Sequence, residues 1–100
     1  MAWKKVQVRT IPNADTPFET ISDEVVNYIK TNYDDTGKRT TFSVSHSANG
    51  LVLTYTSVYS SEATRNEIKN DSTISTESAR RNKINEDNGI TKEVTVDEEV

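Results

Sequence analysis

The chain contains no cysteine, which excludes a disulfide framework, a thiolate metal site and a thiol nucleophile. Three glycines and two prolines leave little material for specialised loops, and no Walker loop, dinucleotide fingerprint or nucleophile elbow is present. No run approaches the ~18–20 consecutive apolar residues of a bilayer-spanning helix, and Met1-Ala2-Trp3-Lys4-Lys5 lacks the apolar region of a secretory signal. The chain therefore reads as soluble and cytoplasmic, without membrane contact. Hydrophobic residues make up only 32% of its 100 residues, and mean hydropathy is −0.75. That is enough for one small core and a single domain over residues 1–100. A core this thin in a short chain often needs a partner subunit, so a homo-oligomer is expected. The formal net charge is −4, with surplus acid ending in Asp97-Glu98-Glu99. Counterion release from a phosphate backbone requires a basic surface, so general nucleic-acid binding is disfavoured.

Periodicity supplies the elements. Trp3 to Ile11 alternates, with Val6 and Val8 on one side and Lys5, Gln7 and Arg9 on the other, the period of a half-buried strand. Thr16-Pro17-Phe18-Glu19 has the form of a capping box, and Phe18, Ile21, Val25 and Tyr28/Ile29 follow at helical spacing, predicting a helix that frays near Tyr33. Two alternating runs between Thr40 and Tyr59 flank Asn49-Gly50, the pair suited to a type I′ hairpin turn. With those two residues as the loop, His46 pairs with Leu53, Val44 with Tyr55 and Phe42 with Ser57 on an apolar face. Ser45 with Thr54, Ser43 with Thr56 and Thr41 with Val58 form a hydroxyl-rich face. Ser60-Ser61-Glu62-Ala63 reads as a helix start. Beyond it, Ala63, Ile68, Ile74, Ala79 and Ile84 lie too far apart for one straight stripe. The helix is therefore expected to break near residues 70–73 and to restart at Thr73 or Ser75. Asn88-Gly89-Ile90 predicts a Schellman termination, and Thr91 to Asp97 a last strand.

The order β-α-β-β-α-β predicts an α+β, ferredoxin-like fold: a four-stranded antiparallel sheet ordered 4-1-3-2 with both helices on one face. The helices are expected to cover Val6, Val8, Phe42, Val44, Leu53, Tyr55, Val94 and Val96. The opposite face would carry Lys5, Gln7, Arg9 and hydroxyls, with Trp3, Ile11, Val52 and Val58 as scattered apolar points and candidate interface residues. In element order, and in the Tyr59-Ser60-Ser61-Glu62-Ala63 strand-to-helix junction, the chain resembles the dimeric α+β barrel group, which includes cofactor-independent monooxygenases. That resemblance implies a dimer formed through open sheet faces, although hydroxyls stand here where the group usually places apolar side chains. The segment from Ser61 to Ile90 also resembles small uncharacterised proteins of marine tailed phages, which implies a viral origin, and a host-cytoplasmic location, without supplying an activity.

His46, the only histidine, is the one catalytic candidate, as a general base at the mouth of a cleft between sheet and helices; the competing reading is a half-exposed residue beside the hairpin turn. Tyr28, Tyr55 and Tyr59 are candidates for an aromatic ligand pocket, with core packing as the alternative. The acidic pairs have no metal-ligand spacing: placing Gly89 at the sixth position of a calcium loop puts Ile84 at the first. No metal and no cofactor are assigned. Arg80-Arg81 with Lys83, interleaved with Glu77 and Glu86, reads as the paired charges of an exposed helix. Positions where an RNA-binding version of the fold needs aromatics hold Lys5, Gln7, Arg9, Thr54 and Thr56. The expected function is a self-associating structural or interaction protein. The alternative is a monooxygenase-like enzyme or small-molecule binder using the cleft.

Overall fold

In the computed structural model, which describes residues 1–100, the elements run β1 (Trp3–Thr10), α1 (Asp23–Ile29), β2 (Arg39–His46), β3 (Val52–Tyr59), α2 (Glu62–Asn70), α3 (Ser72–Asp87) and β4 (Thr91–Glu99), with a π-helical turn over Lys30–Asp34. The strands form one open antiparallel sheet in the order β2-β3-β1-β4, which is β4-β1-β3-β2 from the opposite edge. No helix is long and apolar enough to cross a membrane.

The β2–β3 register pairs His46 with Leu53, Val44 with Tyr55 and Phe42 with Ser57, as the alternation requires. The turn itself is not type I′. Only Gly50 takes a positive φ, and Asn49 does not. Instead, Asn49 Oδ1 accepts from the Ser47 hydroxyl and the Leu51 N–H, while Gly50 N–H closes onto the Ser47 carbonyl. A side-chain turn of this kind competes with the two-residue loop without altering the strand register.

The helical break falls where the polar cluster puts it. Asp71 caps α3 by accepting from the Thr73 and Ile74 N–H groups, and Ser61 caps α2. At the far end, Ile90 N–H bonds the Asn85 carbonyl and Gly89 N–H bonds that of Glu86, with Gly89 at φ 80°. These are the two bonds of a Schellman motif, and Ile90 is buried by the return.

The segment before α1 departs from expectation. Residues 16–22 are not helical; α1 begins only after Ser22, whose hydroxyl accepts from Val25 N–H. Side chains of α3 take the backbone groups that a helix would have used. Asn85, fully buried, accepts from Glu19 N–H at 2.8 Å and donates to the Glu19 carbonyl at 3.1 Å. Glu77 accepts from Ser22 N–H, Arg80 reaches the Thr20 carbonyl and the Glu19 carboxylate, and Asn88 donates to the Pro17 carbonyl. The segment is an extended strap bonded to α3 by side chains, which satisfies its polar groups without local helix.

The core is small and lies among the helices. Val25, Ile29 and Tyr33 are buried against Ile21, Tyr28, Ile68 and Ile74. Tyr28 and Tyr33 both donate to Asp71 Oδ2, at 2.8 and 2.6 Å, so the residue that caps α3 also anchors α1 and the π-helical turn. Burial raises the Asp71 carboxyl, but the Tyr33 and Tyr28 hydroxyls and the capping N–H groups outweigh it and hold it below its ordinary value. Glu77 is held at about 2, against 4.5 for a free glutamate, by Arg80 and Ser22 N–H. The Arg65 guanidinium lowers Asp97 in the same sense. All three carboxylates bind protons more weakly folded than unfolded, so the unfolded state takes up more protons as pH falls. The contribution of Glu77 is therefore expected to be complete above about pH 4.5 and lost as pH falls through about 2, and those of Asp71 and Asp97 to be lost in the same direction. The urea midpoint, followed from pH 6 to pH 2.5, is expected to fall throughout the acid limb; a flat profile contradicts these pairings.

Candidate functional site: a cation-lined cleft

The register of β1 decides the character of the sheet's covered face. Trp3 pairs with Tyr59, Lys5 with Ser57, Gln7 with Tyr55 and Arg9 with Leu53. Those β3 residues lie on the side facing the helices, so Lys5, Gln7 and Arg9 lie beneath the helices too. Val6 and Val8 pair with Thr56 and Thr54, and Val96 with Val6, on the uncovered face. This reverses the expected allocation for β1 and for Val96. The cause is that β1 residues before Arg9 are all partly buried on both faces, so alternation fixes the period of the strand but not which side meets the helices. Val94 stays on the covered side opposite Gln7, because a bulge at Thr95 shifts the β4 register.

Between this face and α2/α3 lies a cleft of about 340 Å³ whose 14 lining residues include Lys5, Arg9, Arg65, Lys69, Arg81 and Lys92, and no carboxylate. Half of the chain's 12 lysines and arginines converge there in a protein of net negative charge. Arg65 is paired with Asp97 at 2.8 Å. The other five form no ion pair. Arg9 is 2% exposed and its one side-chain bond is to the neutral Asn82 Oδ1, at 2.8 Å. The Nε atoms of Arg9 and Arg81 are buried without any hydrogen-bond partner. Burial lowers the proton affinity of Lys5, Arg9, Arg81 and Lys92, and repulsion from neighbouring cations adds to it at all four. Close like charges, one of them buried, raise the energy of the folded chain, and an anion placed among them lowers it, since the carboxylates that act on them, Glu77, Glu86 and Asp97, lie outside the cleft lining.

The sequence candidates divide around this cleft. Tyr59 lines it, and Tyr55 lines the adjoining cavity of about 200 Å³. Tyr28 lies away from both, bound to Asp71. His46 is exposed at the end of β2 opposite Leu53, and borders none of the three cavities, so no general base stands in the cleft from that position. Trp3 is on the covered side, its Nε1–H donated to Asp97 Oδ1 at 2.6 Å. Ile11 follows β1, its N–H bonded to the Leu51 carbonyl, and Val52 and Val58 lie on the uncovered face opposite Thr10 and Lys4. Arg80 behaves as a surface charge, paired with Glu77 and Glu19. Arg81, its neighbour, turns inward. Only the Arg80-Arg81 pair and the alternating Lys5 and Arg9 hinted at the site, and neither shows its face in the sequence. No family model, curated protein or solved structure matches the chain.

Proposed function

We propose that the chain is a binding module for a small anionic molecule held in the cleft between the sheet and α2/α3. The observation that carries this reading is the convergence of five unpaired cations, one of them the fully buried Arg9, on a cavity without a carboxylate. This sharpens the small-molecule expectation and removes His46 from it. Urea unfolding with pyrophosphate, against sodium chloride at equal ionic strength, tests the proposal. A ligand that binds only the folded state stabilises it by about 2.7 kcal/mol at a hundred times its Kd. Pyrophosphate is expected to raise the midpoint well beyond the salt control, and equal midpoints contradict the reading.

Self-association has separate support. The uncovered face presents Val6, Val8, Val52, Val58 and Val96 among threonines and serines, a more apolar surface than alternation suggested, and a second copy packed face to face would cover it. Light scattering that shows a strict monomer at micromolar concentration contradicts this. The β-α-β-β-α-α-β order, with α2 and α3 in the place of one broken helix, supports reading the fold as ferredoxin-like.

A further inference from the structure

We infer that the ligand is amphipathic, a phosphomonoester whose anionic head sits among Arg9, Arg81 and Lys92 and whose flat apolar body lies against Tyr55 and Phe42. This rests on the anion-binding reading and narrows its ligand class. The cationic cleft does not end in a polar wall. The adjoining cavity shares seven lining residues with it, among them Lys5, Gln7, Tyr59 and Arg81, and also lacks any carboxylate, so the two lie side by side. Beyond Arg81 the character changes: of the six residues that the second cavity adds, Ile21, Ile29, Phe42 and Tyr55 are apolar or aromatic, Ser57 is polar, and Arg39, paired with Asp34, covers one face of the Phe42 ring at 4.3 Å. The Phe42 and Tyr55 rings are 6.5 Å apart and tilted by 34°, giving one aromatic wall. Phe42 is 48% exposed and also borders a third cavity with Val26 and Ile29, so a body lying there shields apolar surface from water. At the cationic end, two guanidinium groups with unpartnered Nε–H donors suit a compact dianion with several acceptor oxygens, which phosphate offers.

Calorimetric titration at pH 8 with 1-naphthyl phosphate, inorganic phosphate, pyrophosphate and 1-naphthol separates the possibilities. The aryl phosphate is expected to bind at least tenfold more tightly than inorganic phosphate, and 1-naphthol much more weakly than its phosphate. Tyr55→Ala is expected to remove that tenfold advantage while leaving pyrophosphate binding intact; the more exposed Phe42→Ala provides the same test should Tyr55→Ala fold poorly. If pyrophosphate binds but the aryl group adds nothing, or if its advantage survives both substitutions, the amphipathic assignment is wrong and the anion site stands. If neither phosphate species binds, the anion site itself is wrong.

Discussion

Replacing Arg9 with methionine is expected to make the protein more stable and to weaken anion binding about ten- to hundredfold. Methionine preserves most of the side-chain volume and fills irregular space without bringing a charge into it. In the native chain the Arg9 guanidinium is 2% exposed, its Nε has no partner, and Arg81 and Lys92 stand near it with the same sign. Removing that charge relieves repulsion and desolvation, at the loss of one bond to Asn82. Exchanges of buried ionic groups for apolar ones of similar size are often stabilising, by about 1–4 kcal/mol, and the urea midpoint should rise accordingly. Affinity for pyrophosphate should fall together with this gain, since a charge-assisted bond is worth about 1.5–3 kcal/mol, ten- to hundredfold in Kd. Opposite changes in stability and binding mark a residue kept for its ligand. Loss of both would instead make Arg9 a structural member of the fold.

Asn85→Ala is expected to be the most damaging single truncation outside the apolar core. Asn85 is fully buried, and its amide satisfies both backbone groups of Glu19 in the strap before α1. Truncation leaves the part-buried N–H and carbonyl of Glu19 without partners, at up to about 1–3 kcal/mol for each group so stranded. A domain of this size has only about 5–15 kcal/mol of stability in all, and this one has six buried hydrophobic residues. Chemical denaturation should therefore show a loss of about 2–4 kcal/mol. Thr76→Ala, at an exposed position of α3, should change stability by no more than about 0.5 kcal/mol. Similar values for the two variants contradict the strap as described.

These residues mark where sequence pattern was informative and where it failed. The β2–β3 register was legible because turn chemistry and alternation agreed, and it survived a different turn conformation since the same Ser47-to-Val52 pairing closes either loop. The Schellman end and the break at Asp71 were legible because capping is local chemistry. The strap was not. Its apolar spacing is helical, but long-range bonds from Glu77, Asn85 and Asn88 won over that local preference. Nor was the cleft: Lys5 and Arg9 alternate with Val6 and Val8, and only pairing with β3 shows that the charged set faces the helices. Scarce hydrophobicity thus has a spatial meaning here. The main apolar cluster lies among the helices, while the sheet face beneath them carries cations beside the buried Leu53 and Tyr59.

The central claim is that this covered, cationic face receives an anion, and the Nε–H signals of Arg9 and Arg81 report on it directly. In 15N-labelled protein titrated with pyrophosphate at constant ionic strength, both signals are expected to move downfield and saturate with one binding constant, and Arg9→Met should shift the response of Arg81 to about ten- to hundredfold higher pyrophosphate. If the perturbations fall instead on exposed Lys30 or Lys83, or if both guanidinium signals stay unmoved, the cleft is not the anion site.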